Sequence, residues 1–178
     1  MNNKQIRKWI PSLFFIPAVI YLIYNRGRVF LLDELNLLIH EGGHGVFAIF
    51  GKFVYTLGGT LMQIIIPSLF IFYYYKEKKY TAARIFLLWL GQNLINISVY
   101  AADASEKKLR LIGGNNVYHD WNYMLGRLNL LEHDKTIGTL FYVLAMLVFV
   151  YVLVMPLFIR EYKRLSPEEE DSLEKIIR

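Results

Sequence analysis

Cysteine does not occur in the 178 residues of this chain, so disulfides and thiolate ligands are excluded, and any metal must be held by histidine and carboxylate. Histidine is itself scarce, with four in all. That scarcity argues against the many-histidine clusters of iron-dependent membrane hydroxylases. Charge is also sparse, at 20% of residues against 55% hydrophobic, and it is confined to short stretches. Between those stretches lie runs of about 20 nearly uncharged residues, each long enough to cross a bilayer core. The net charge of +5 raises nucleic acid as a partner. The basic residues, however, sit in connections and tails beside apolar runs, where anionic membrane lipids account for them, and no nucleic-acid partner is expected.

What is present is a set of long apolar segments, which gives an all-α, polytopic helical membrane protein integral to the membrane. Five spans are expected: about Trp9 to Tyr24, Val29 to Phe50, Leu57 to Tyr75, Tyr80 to Ala102, and Thr136 to Ile159. Pro11 and Pro17 would kink the first or hold it at the interface. Lys4, Arg7 and Lys8 before it resemble the start of a signal peptide, but no small-residue cleavage site follows, so the segment reads as an uncleaved anchor. Trp121, Met124, Leu125 and Leu128 recur at one-face helical spacing after Asp120, which predicts a short amphipathic helix with Asp120 as its N-cap. Ser166-Pro167-Glu168-Glu169 carries the capping serine, first-turn proline and third-position glutamate of a helix start. Residues 1–160 therefore form one transmembrane helical domain and residues 161–178 a polar helical tail.

Within the second span stands His40-Glu41-Gly42-Gly43-His44. Residues four apart on a helix differ by about 40° around its axis, so both imidazoles project from one face and can share a metal. Glu41 lies next to them, where it can take a proton from a water activated by that metal, and zinc suits a donor set of nitrogen and carboxylate best. Glycine is costly inside a helix, so Gly42 and Gly43 imply a close neighbour, either another helix or a substrate backbone. Gly58, Gly59 and Gln63, at the start of the third span, raise the same question, since a loosened helix start could offer backbone groups or an amide to an extended peptide.

If the five spans alternate in direction, the second returns to the side that holds the N-terminus. His40 and His44 then share that side with Gly58, the end of the fourth span at Asp103, and the loop from Ala104 to Lys135. On the fourth span Gln92, Asn96 and Asp103 fall within about 40° on a helical wheel, a polar stripe that should face the bundle interior. The zinc needs a third protein ligand, and His119 is the first choice because it matches the two nitrogen donors and is anchored by the following helix, with Asp103 as the alternative. His133, flanked by charges, reads as a solvated loop residue. Asp33 and Glu34 lie more than a turn from His40 and are expected to pack against Arg26 or Arg28, or to lie at the interface.

The motif, with glycine directly before its second histidine and the whole inside a membrane segment, resembles the active-site helix of the site-2 protease family of intramembrane zinc metalloproteases. That resemblance implies a helical core, a zinc buried in the membrane near the cytosolic face, Glu41 as general base, and a membrane-associated peptide substrate, as in a bacterial cytoplasmic membrane. The set of His40 to His44, Gly58-Gly59, Gln63 and His119-Asp120-Trp121 is also similar to that of small uncharacterised bacterial membrane proteins. Neither the Asn-Pro-Asp-Gly-type segment of the known proteases nor a PDZ-like insertion is present. The expected function is a zinc-dependent intramembrane metallopeptidase. A membrane amidase or lipid hydrolase with the same metal and base, and a non-catalytic zinc-binding scaffold or sensor, are the alternatives.

Overall fold

The computed structural model describes residues 3–109, 119–159 and 175. Helices α1 (Asn3–Tyr24), α2 (Phe30–Phe47), α3 (Lys52–Lys76), α4 (Tyr80–Ala102), α5 (Asp120–Arg127) and α6 (Asp134–Val154) follow in chain order, with single 3-10 turns at Ala48–Phe50, Leu131–His133 and Met155–Leu157. The described residues contain no strand. The C-terminal tail foreseen over residues 161–178 lies outside the described residues apart from Lys175.

Three segments are long and apolar enough to cross a membrane: Lys52–Lys76, Tyr80–Ala102 and Leu131–Leu157. The other two expected spans fall short. Trp9–Tyr24 is a shorter apolar helix. Helix α2 places Asp33, Glu34 and Glu41 among only 18 residues, too many carboxylates for a lipid-facing crossing.

Helix α4 is the axis of the bundle, with α3 and α6 packed on it, α2 packed on α3, and α1 against α6 and α4. The core forms where apolar faces meet. Val19 and Leu22 of α1, Leu94 and Ile95 of α4, and Ala145 and Phe149 of α6 make one buried cluster. Gly91 permits it, since a side chain there would run into the Phe149 ring. A second cluster sits nearer the α4 C-terminus, where Ile97, Ala101 and Ala104 pack on Trp121, Met124 and Leu125 of α5.

The direction of α1 differs from the alternating scheme. Ser12 Oγ donates to the Leu153 carbonyl at 2.9 Å near the end of α6, and the Phe15 ring lies 5.9 Å from the Arg84 guanidinium near the start of α4. Helix α1 therefore starts at the end of the bundle where α4 begins, and runs parallel to α4. The turn that follows it sits beside the α4 body: Gly27 is packed against Ile95 and Asn96, and its carbonyl accepts from Gln92 Nε2 at 2.8 Å. Asn96 lies about 9 Å short of the α4 C-terminus at 1.5 Å per residue. Helix α2 thus starts partway along the bundle and rises only to the end where α3 begins.

A buried polar knot holds this turn. Asp33 Oδ2 accepts from the Val29 amide at 3.0 Å, while its Oδ1 accepts from Gln92 Nε2 at 2.8 Å and Asn96 Nδ2 at 3.2 Å. Asn36 Nδ2 donates to Gln92 Oε1 at 2.6 Å, and Trp89 Nε1 donates to Asn36 Oδ1 at 2.7 Å. Asp33 is thus held by amide donors of α4 where an arginine partner was expected, because amides satisfy a carboxylate in a low-dielectric interior without bringing in a second charge.

Candidate metal centre

Helices α2 and α3 touch through glycine. A side chain on Gly43 would collide with the Gly58 carbonyl, and one on Gly58 would collide with the Gly43 carbonyl and the Phe47 side chain. A side chain on Gly59 would overlap the His40 ring. Gly43, Gly58 and Gly59 are therefore spent on helix contact, which presses the His40 ring flat against the α3 backbone. Gly42 and Gly45 differ, with nothing within 4 Å of the position a side chain would take. They lie with Glu41 on the exposed side of α2.

Each histidine gives its Nδ1 hydrogen to a carbonyl oxygen. His44 Nδ1 donates to the Tyr55 backbone carbonyl at 2.8 Å, and His40 Nδ1 donates to Gln63 Oε1 at 3.1 Å. A carbonyl oxygen accepts only, so in the neutral form each imidazole carries its hydrogen on Nδ1 and presents an Nε2 lone pair. Both Nε2 atoms meet the same carboxylate oxygen: Asp120 Oδ2 lies 2.9 Å from His40 Nε2 and 3.4 Å from His44 Nε2. The two rings stand nearly perpendicular, 4.8 Å between centroids. All three residues are buried.

With both imidazoles neutral, three lone-pair atoms converge, an arrangement that a cation among them would satisfy. His40, His44 and Asp120 are the group among the described residues that could hold a metal ion, with their ligand atoms all within 4.8 Å of one another. Tetrahedral zinc with ligands at about 2.0–2.2 Å sets them roughly 3.3–3.5 Å apart, a spacing that the 3.4 Å separation meets and the 2.9 Å one reaches with a small opening. The residues fit the ion in atom type and in the spacing of each histidine from Asp120, and the two histidine nitrogens lie within 4.8 Å of each other.

Asp120 reaches the site because α5 is clamped. Trp121, Met124 and Leu125 are buried, the Trp121 ring meets Phe141 edge-on at 5.5 Å, and Asn122 Nδ2 donates to the Ala104 carbonyl at 2.8 Å. Tyr100 of α4 grips the carboxylate from behind: its hydroxyl accepts from the Asp120 amide at 3.1 Å and donates to Asp120 Oδ2 at 3.4 Å.

His119 and Asp103 stand beside this group rather than in it. His119 is the N-cap of α5, its Nδ1 accepting from the Asn122 amide at 3.3 Å, so the capping role foreseen for Asp120 belongs to its neighbour. The other nitrogen of His119 lies 3.5 Å from Asp103 Oδ2, and its ring meets Tyr100 at a 37° tilt, 4.4 Å between centroids. Burial holds the His119 imidazole below the usual histidine range, with Asp103 partly offsetting it. Asp103 also accepts from the Lys108 and Leu109 amides, at 2.9 Å each, and so shapes the loop after α4. Gln92 and Asn96 serve the α2 turn. Of the foreseen lining residues, Gly59 packs on the His40 ring and Gln63 hydrogen-bonds it, and the Asn93 amide that binds Gln63 is not marked by the sequence pattern. No protein-family model, curated protein or solved structure matches this chain.

Proposed function

We propose that this chain is a zinc-dependent intramembrane metallopeptidase that cleaves membrane-associated peptides. The observation that carries this reading is the convergence of His40 Nε2, His44 Nε2 and Asp120 Oδ2, with Glu41 beside them on α2. Zinc held by these three would leave a position open and, as a Lewis acid, would bring the pKa of a water there toward neutral. A closed structural site would instead use four protein ligands.

In this reading His40, His44 and Asp120 hold the ion while Glu41 moves the proton. Its carboxylate takes a hydrogen from the attacking water and passes it to the leaving amine. Glu41 follows His40 directly in α2, on the exposed side of the helix. Gly42 and Gly45 leave space along Glu41 for an extended peptide backbone. Three helices able to cross a membrane give the substrate a route through lipid.

The test is elemental analysis of purified protein together with hydrolysis of a quenched-fluorescent apolar peptide in detergent. Wild type and Glu41→Gln should both carry near-stoichiometric zinc, and only wild type should cleave. His40→Ala and His44→Ala should lose both metal and cleavage. Zinc loss in Glu41→Gln would contradict the role of Glu41, and equal zinc in wild type and His40→Ala would contradict the site.

A further inference from the structure

We propose that Asn93 is a positioning residue for His40, the middle of a one-way hydrogen-bond relay that decides which imidazole nitrogen carries the hydrogen; the inference rests on the metal reading above. The relay starts at the Trp89 carbonyl of α4, which can only accept. Asn93 Nδ2 donates to it at 3.1 Å, so Asn93 Oδ1 is turned toward α3. That oxygen accepts from Gln63 Nε2 at 3.3 Å, which turns Gln63 Oε1 toward α2. Gln63 Oε1 then accepts the His40 Nδ1 hydrogen at 3.1 Å.

Each link has one satisfied orientation. Reversing the Asn93 amide would set its oxygen against the Trp89 oxygen, and its NH2 against that of Gln63. Reversing Gln63 would point an NH2 group at His40 Nδ1 and move the imidazole hydrogen to Nε2, the atom a metal needs bare. Asn93, Gln63 and His40 are all buried, so water offers no easy substitute. The ring itself cannot turn away, because it lies against the Gly59 backbone. Its position is fixed by packing, and only its tautomer remains to be set.

His44 needs no relay, since the Tyr55 carbonyl does the same work directly. His40 lies one turn further along α3, where its Nδ1 meets the Gln63 side chain and no backbone carbonyl. A side-chain amide has to stand in, and an amide has two orientations. Asn93 removes the wrong one.

The experiment measures zinc dissociation constants of the full-length protein in detergent by competition with a chromophoric chelator. Asn93→Leu keeps the volume and removes the acceptor, and should weaken zinc by about 10- to 100-fold. Adding Gln63→Glu to it should restore zinc binding to within a few-fold of wild type, because both carboxylate oxygens accept and neither needs orienting. A purely structural role for Asn93 would not be rescued by a change on another helix. If Asn93→Leu fails to fold, Asn93→Ala, alone and with Gln63→Glu, makes the same comparison.

Wild-type affinity in Asn93→Leu, or a double variant as weak as the single, overturns the relay while leaving the metal reading intact. His40→Ala binding zinc as tightly as wild type overturns both.

Discussion

Gly43 of α2 and Gly58 of α3 meet backbone to backbone, each filling the space the other's side chain would need. The contact sets the depth at which His40 lies on α3, and so the distance from its Nε2 to Asp120. Gly43→Ala should force the helices apart, destabilise the protein by about 1–3 kcal/mol as overpacking does, and lower zinc content. Gly42→Ala, with open space around it, should leave zinc unchanged and slightly favour the helix. Thermal unfolding and elemental analysis on the two variants check this; equal behaviour would mean the contact does not set the site.

Replacement of the proposed third ligand should separate Asp120 from its neighbour. Asp120→Ala should abolish zinc retention. His119→Ala should cost the α5 cap, about 1 kcal/mol, and weaken zinc far less. Zinc loss in His119→Ala as complete as in Asp120→Ala would return His119 to the ligand set.

Asp33 should matter for stability and not for metal. Asp33→Leu would leave the hydrogens of Gln92 and Asn96 without their shared acceptor and the Val29 amide without its cap, a loss of about 2–4 kcal/mol. Denaturation in detergent should show it, while the protein that remains folded binds zinc normally. An unchanged transition would mean that the knot is dispensable.

Labelling should report the direction of α1. Asn3→Cys and Lys78→Cys should react with an impermeant thiol reagent from one side of the membrane and Lys52→Cys from the other. Reaction of Asn3→Cys together with Lys52→Cys would restore the alternating arrangement.

Much of this architecture is legible in the sequence, and the reasons for the rest are specific. The ends of α4 are legible because a largely apolar run is bounded by Lys79 and Asp103. The pair His40 and His44 follows from helical spacing alone. Asp120 was assigned to the cap because Asp and His both cap helices, and a shift of one residue at the start of α5 decides which of the two turns toward α2. Asn93 escaped notice because it lies about 100° around the helix from Gln92, off the polar stripe, and its partner on α3 comes from packing that no local pattern encodes. The direction of α1 was missed for a related reason. Alternation assumes that every apolar run crosses, and α2, with its carboxylates and its seat beside Gln92, does not run the length of the bundle.

The ligands lie far apart in the chain, with His40 and Asp120 separated by 80 positions. An ion gripped by both would act as a clasp between α2 and α5, closing a long loop that the unfolded chain must leave open. Metal supply would then be felt as rigidity as well as reactivity. At free zinc a hundredfold above its dissociation constant, the folded state would gain about 2.7 kcal/mol. Without the ion, α5 would be held to the bundle by the burial of Trp121, Met124 and Leu125 and by the bonds from Tyr100 and Asn122 alone.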